Sequence, residues 1–224
     1  MTSQDNNSLI LFGSPISTFV RKVQLLLEYK GIPYRIEMPE RATLLAISPL
    51  GKVPVLQDGG ANIIDSSVIC DYLERRFPQR SLYPADLALR AQALWIEEYA
   101  DTALADSGYG FFNECLLKPK VYGLPTDPEA RETARVGLGV RLDYLEQILD
   151  GEFFVGDQLS IADLTVGTVL INPLRVGFVV DPKRWPKVSS YLDTLFAREP
   201  FATRLADTHQ AFVDLENRAP KPAA

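Results

Sequence analysis

The sequence is poor in the residues that form metal sites and catalytic histidine arrangements. Its 224 residues include one histidine, His209, and two cysteines, Cys70 and Cys115. The cysteines lie too far apart for a Cys-x-x-Cys redox pair or a zinc-ligand motif. A Ser-His-Asp triad would depend on His209 alone. We therefore expect neither a bound metal nor triad chemistry.

An excess of positive charge and long apolar runs are also missing. The 29 acidic and 23 basic residues give a formal net charge of -6 at pH 7. Because nucleic acids and anionic membranes bind basic surfaces, this charge disfavours both as main partners. No eighteen apolar residues run together, and residues 1–8 lack the basic and apolar regions of a signal peptide. We therefore expect a cytoplasmic protein that neither spans nor binds a membrane.

Residues 1–80 alternate short apolar runs with helical patterns. Four runs have the length of β-strands, and three segments with helical spacing or helix-start residues lie between or after them. The order β-α-β-α-β-β-α predicts an α/β domain with a mixed four-stranded sheet. The predicted strands are residues 9–12, 34–37, 53–57 and 62–64.

The rest of the chain has an almost purely helical pattern. Prolines near both ends of residues 78–86 predict a linker, and residues 87–215 are predicted to form an all-helical domain. Within that domain, residues 119–127 are predicted to be a loop, and the last helix is predicted to end near Asp207. Residues 216–224 are expected to be a disordered tail.

A hydroxyl lies between the first predicted strand and the first predicted helix. Ser17 comes directly before the helical pattern that Gly31 ends. Free backbone N–H groups and the positive end of the helix dipole can hold an anion such as a thiolate there. With a hydrogen bond from Ser17, they can lower the pKa of a bound thiol from about 8.5 to near or below 7. Taken alone, Ser17 is more simply explained as an N-cap.

Two further segments could bind a peptide-like anion. Pro54 lies in an apparent strand, so either this is an edge strand or the Val53–Pro54 bond is cis and turns the Val53 backbone toward a ligand. Lys52 is either a ligand for a carboxylate or a solvated surface lysine. Asp65 and Ser66 either cap the next helix or bind the charged groups of a ligand. Donors at strand ends and helix starts are typical of ligand sites in α/β sheets.

These segments together resemble the glutathione transferase superfamily. The resemblance covers nearly the whole chain and implies a thioredoxin-like N-terminal domain, an all-helical C-terminal domain and a homodimer. It also implies a role in detoxification, glutathione as co-substrate and a cis Val53–Pro54 bond. The segments that carry the resemblance are residues 13–23, 48–56, 65–73 and 160–163.

The resemblance assigns roles to individual residues. Ser17 matches the hydroxyl that activates the glutathione thiol in the serine-type classes (phi, theta and zeta). The other matching positions are those that bind the rest of glutathione: Lys52 at the glycyl carboxylate, Val53 with Pro54 at the cysteinyl moiety, and Asp65 with Ser66 at the γ-glutamyl end.

Departures from the superfamily pattern narrow the expected chemistry. No cysteine stands at the start of the first helix, which disfavours thiol–disulfide exchange, and no tyrosine ends the first strand, which excludes the tyrosine-type classes. Ser14 is a competing hydroxyl, ranked below Ser17 because it precedes Pro15. We expect a glutathione transferase whose thiolate attacks an apolar electrophile. The alternatives are a glutathione-dependent peroxidase or isomerase on the same site, and a non-catalytic glutathione-binding or docking module.

Overall fold

A four-stranded mixed sheet forms the first part of the structure, a computed structural model that describes residues 9–217. The strand order is β2-β1-β3-β4; β1 and β2 are parallel, whereas β3 is antiparallel to both β1 and β4. The predicted mixed sheet is therefore confirmed. The strands are β1 (Leu9–Phe12), β2 (Tyr34–Glu37), β3 (Val55–Asp58) and β4 (Ala61–Ile64).

One predicted strand begins too early. The prediction started β3 at Val53, whereas the strand starts at Val55. Pro54 has no N–H group to donate to a neighbouring strand, so regular pairing begins only after it. The chain at Val53 is consequently outside the sheet.

Three helices accompany the sheet. They are α1 (Thr18–Lys30), α2 (Arg41–Ile47) and α3 (Ser66–Arg76). Gly31 ends α1 in the left-handed conformation at φ 70°, where glycine carries no Cβ penalty. The Lys30 ammonium, almost fully buried, pairs with Glu74 of α3 at 2.8 Å and donates to the Phe77 carbonyl at 2.9 Å. Helices α1 and α3 are thus fixed to each other at their C-terminal ends.

Among the described residues, the second part of the chain contains helices and loops but no β-strand. The chain divides between Leu82 and Tyr83 into two compact units, here called unit 1 and unit 2. This division falls within residues 78–86, which we propose as the linker. Unit 2 contains α4 (Leu87–Tyr99), a π-helical segment (Ala100–Leu104), α5 (Ala105–Phe112), a second π-helical segment (Asn113–Tyr122), α6 (Pro128–Ile148), α7 (Ile161–Arg175), α8 (Pro186–Phe196) and α9 (Phe201–Glu216).

Unit 2 corrects two predictions. The helical run from Leu87 reaches Tyr122, so the loop predicted at residues 119–127 begins only at Gly123, four residues later than predicted. Buried Leu116 and Leu117 anchor this stretch to the core. Helix α9 continues past Asp207 because Phe212 and Leu215 are buried on its second half. Burial of apolar side chains thus extended both helices beyond their local signals.

The described residues end just inside the predicted tail. Glu216 is the last residue of α9, so the tail prediction is wrong there, and residues 218–224 lie outside the described residues. Between residues 9 and 217, no helix is long and apolar enough to cross a membrane, and no group of three or more His, Cys, Asp or Glu side chains could hold a metal.

Candidate active site

Three strand ends lie side by side at one end of the sheet in unit 1. Phe12, the last residue of β1, is paired with Val55, the first residue of β3. Val55 is in turn paired with Ile64, the last residue of β4. We call this end, formed by Phe12, Val55 and Ile64, the site edge.

The residues singled out in the sequence lie next to the site edge. Ser17 follows β1 after a four-residue connection, Pro54 directly precedes β3, and Asp65 directly follows β4. Sheet register alone therefore gathers three segments that are far apart in sequence. A ligand at this edge would meet the N-terminal ends of both α1 and α3, where the positive end of each helix dipole favours anions.

Ser17 is the N-cap of α1, but its capping hydrogen bond is long. The Val20 N–H donates to the Ser17 Oγ at 3.5 Å, beyond the usual range of about 2.7–3.2 Å for an N–H···O bond. The capping hydrogen bonds of α4 are shorter, since Asp86 Oδ1 accepts from two N–H groups at 2.9 Å each. The Ser17 side chain is half-buried. Capping alone therefore accounts poorly for this hydroxyl, which remains available to a second partner.

The segment before β3 has the backbone that the resemblance implies. The Val53–Pro54 bond is cis, Pro54 is buried and Val53 is half-buried. The hydroxyl of Ser48, fully buried, donates to the Lys52 carbonyl at 3.0 Å and so holds the chain just before Val53. The Lys52 side chain is exposed. Sequence analysis did not single out the Ser48 contact, although Ser48 opens the segment 48–56.

Asp65 combines a capping side chain with an unusual backbone. Its Oδ1 accepts from the Ser67 N–H at 2.9 Å and the Val68 N–H at 3.2 Å. Its φ of 78° is rare for a residue with a Cβ and costs of order 1–3 kcal/mol, a strain that clusters at functional sites. Asp65 is exposed, whereas Ser66 is buried. The start of α3 is therefore a strained turn next to the site edge, and the Asp65 side chain caps its Ser67 and Val68 N–H groups.

Two buried cations on α1 lie behind these residues. Arg21, fully buried, donates weakly to the carbonyls of Pro15 and Ile16 at 3.5 and 3.4 Å, in the connection that leads to Ser17. Lys22, 1% exposed, donates from Nζ to the Ser67 Oγ at 3.0 Å. Sequence analysis missed both, because consecutive charged residues on a helix usually face solvent. Their burial places positive charge beside the connection that leads to α1 and beside the first turn of α3.

Gly13 leaves no room for a side chain. A Cβ there would lie 2.2 Å from Val20 Cγ2, and the Gly13 N–H donates to the Glu37 carbonyl at 2.8 Å. Gly13→Ala would push α1 away from the sheet, so we expect the free energy of unfolding to fall by about 1–3 kcal/mol. Urea unfolding followed by circular dichroism measures this loss.

Gly60→Ala is the matched control for that substitution. Gly60 lies in the β3–β4 turn of the same unit, and a Cβ there would meet no atom within 4 Å. We expect its free energy of unfolding to lie within about 0.5 kcal/mol of the wild-type value, as for most surface substitutions. Equal stability of the two variants would contradict the close approach of α1 to Gly13.

Comparisons with known proteins agree with this architecture. The family model of the glutathione S-transferase N-terminal domain matches residues 11–81, and that of the C-terminal domain matches residues 105–199. The chain is 29% identical over 202 residues to a probable glutathione S-transferase, GSTF2, of Oryza sativa subsp. japonica, covering 84% of this chain and 91% of the relative. It is also 29% identical over 196 residues to the glutathione S-transferase GstB of Escherichia coli K12, covering 79% of this chain and 90% of the relative.

A solved structure shares the whole fold. The apo form of human glutathione-S-transferase T1-1 superimposes with a TM-score of 0.85 at 24% sequence identity, covering 96% of this chain and 93% of the human one. This confirms the predicted architecture of a thioredoxin-like domain followed by a helical domain.

Proposed function

Because the chain belongs to the glutathione S-transferase superfamily, an enzyme family, we propose that it binds glutathione in unit 1 and joins the glutathione sulfur to an apolar electrophile. Glutathione carries two carboxylates, one ammonium group and one thiol. The segments next to the site edge carry groups of matching chemistry, although the net charge of the chain is -6. The observation that carries the proposal is the meeting of the Ser17, Pro54 and Asp65 segments at one end of the sheet.

The proposed binding mode divides glutathione among the three segments. Lys52 binds the glycyl carboxylate, and the backbone of Val53 pairs with the cysteinyl moiety as an added strand would. Asp65 takes the ammonium group at the γ-glutamyl end. Ser66, through its backbone N–H group and its hydroxyl, takes the carboxylate at that end, since a helix N-terminus favours negative charge.

In the proposed reaction, Ser17 donates a hydrogen bond to the glutathione thiolate. The dipole of α1 contributes about 0.3–1 kcal/mol to stabilising the anion. A charge-assisted hydrogen bond from Ser17 contributes about 1.5–3 kcal/mol, less the cost of desolvation. The thiol proton leaves to solvent, and the thiolate sulfur attacks an electrophilic carbon. A carbon–sulfur bond forms, and the leaving group departs with its electron pair.

Two substrates test the proposed reaction. Purified protein is incubated with glutathione and either a chlorinated dinitrobenzene or cumene hydroperoxide, and products are separated by chromatography. We expect a glutathione–aryl conjugate and release of chloride. Glutathione disulfide from the hydroperoxide, without conjugate, would favour a peroxidase. Calorimetric binding of glutathione without either product would favour a carrier or docking module.

A second copy of the chain is the proposed macromolecular partner. Apolar side chains on α4 and α6 are unusually exposed, among them Trp95 at 54% and Val140 at 51%. Exposed apolar patches of this kind are typical of interfaces. Light scattering should give twice the 25.0 kDa chain mass, and a mass of one chain would contradict a dimer.

The expected setting is detoxification in the cytoplasm. The acidic composition supports neither nucleic acid nor an anionic membrane as a partner. Fractionation of cells that express the protein tests this location, and recovery in the membrane fraction would contradict it.

A further inference from the structure

A buried ammonium group lies directly behind the start of α3. Lys22, the fifth residue of α1, is 1% exposed, and its Nζ is 3.0 Å from the Ser67 Oγ. Lysine is almost never fully buried, because removing an ammonium group from water costs free energy that partners must offset. A buried lysine that spans from one helix to the first turn of another therefore has a specific role.

The contact reaches the helix start that the proposed function assigns to the γ-glutamyl end. Ser67 follows Ser66, and its N–H donates to the Asp65 carboxylate at 2.9 Å. Because Lys22 donates to the Ser67 Oγ, the hydroxyl is oriented to act as a donor in turn. The ammonium charge adds to the positive end of the α3 dipole and acts through a poorly screened interior.

We propose that Lys22 is a positioning residue for the α-carboxylate of the γ-glutamyl end, and that it controls glutathione affinity without controlling thiol reactivity. This inference rests on the proposed function. Arg21, by contrast, contacts the connection before Ser17, so the two neighbouring cations serve different ends of the site. Loss of Lys22 should therefore weaken binding of one chemical group of the ligand only.

Three ligands separate this role from general support of the fold. Glutathione is compared with 4-aminobutyryl-cysteinylglycine, which lacks the α-carboxylate, and with glutaryl-cysteinylglycine, which lacks the amine. Calorimetry gives the Kd of each for wild type and Lys22→Met. We expect Lys22→Met to raise the Kd roughly tenfold for glutathione and the glutaryl peptide, as for a lost charge-assisted interaction. The Kd of the 4-aminobutyryl peptide should change less than about twofold.

Two further variants and the pKa of the bound glutathione thiol complete the test. Lys22→Arg keeps the charge and should restore much of the affinity. The pKa of the glutathione thiol bound to Lys22→Met should equal that in wild type. If Lys22→Met does not fold, Ser67→Ala removes the same contact from the other side, and the same selective loss is expected.

Three outcomes would contradict this role of Lys22 or the proposed function on which it rests. Equal losses for all three ligands would show that Lys22 only supports the fold. If wild type binds glutathione and Lys22→Met binds it with the same Kd, the inference about Lys22 is overturned but the proposed function is not. Failure of wild type to bind glutathione at all would overturn the proposed function and this inference with it.

Discussion

Replacing Ser17 with alanine is expected to lower kcat for conjugation by about 10² or more, because one donor that stabilises the reacting anion is lost. The substitution removes only Oγ, and the long 3.5 Å cap bond contributes little to α1. We therefore expect the free energy of unfolding to fall by no more than about 1 kcal/mol. Steady-state kinetics with saturating glutathione, together with urea unfolding, measures both effects.

Ser14→Ala is the matched control. Ser14 is also half-buried and lies three residues earlier, and its carbonyl accepts from the Ser17 N–H at 3.0 Å. Alanine keeps that carbonyl, so kcat should stay within about twofold of wild type, which corresponds to well under 1 kcal/mol. A large loss in Ser14→Ala with a normal rate in Ser17→Ala would assign the role to Ser14. Normal rates in both would move it to a backbone N–H group.

Replacing Asp163 with alanine is expected to cost unit 2 about 3–5 kcal/mol of unfolding free energy, because several buried donors lose their acceptor at once. Asp163 is fully buried near the start of α7 and forms a capping box with Ser160, accepting from its N–H and its hydroxyl at 2.9 Å each. It also accepts from the Phe154 N–H at 2.9 Å and the Tyr191 hydroxyl at 3.0 Å. Burial raises the pKa of Tyr191 well above its ordinary value, so that hydroxyl stays a donor.

Tryptophan fluorescence isolates this effect. Both tryptophans of the chain, Trp95 and Trp185, lie in unit 2. Asp86→Ala removes an exposed cap in the same unit and should cost only about 1 kcal/mol. If Asp163→Ala does not fold, Tyr191→Phe removes one of the four bonds and should cost about 1 kcal/mol. Losses in Asp163→Ala no larger than those in Asp86→Ala would contradict the role of the buried network.

Local signals predicted most of the elements that build the site. Ser17 and Asp65 stand at N-caps, and Gly31 ends α1, because capping and left-handed turns depend on a few adjacent residues. The strand order and the meeting of the three segments at the site edge came from sheet register, which no single segment specifies. The resemblance to a family predicted the cis Val53–Pro54 bond, which the residues alone had left open.

What the sequence could not predict depends on packing between distant segments. Arg21 and Lys22 have the polarity of a solvated helix face, but the approach of α3 brings Ser67 against the buried Lys22. Pro119 predicted a loop, but buried neighbours keep the chain helical to Tyr122. In both places tertiary burial outweighed local preference.

The most direct test of thiol activation is the ultraviolet absorbance of the glutathione thiolate, titrated in complex with wild type and with Ser17→Ala. We expect the pKa of the bound thiol near or below 7 in wild type, against about 8.5 for an unperturbed thiol, and a return toward that value in Ser17→Ala. A bound thiol with an unshifted pKa in wild type would contradict activation by Ser17 and α1, even if glutathione binds tightly.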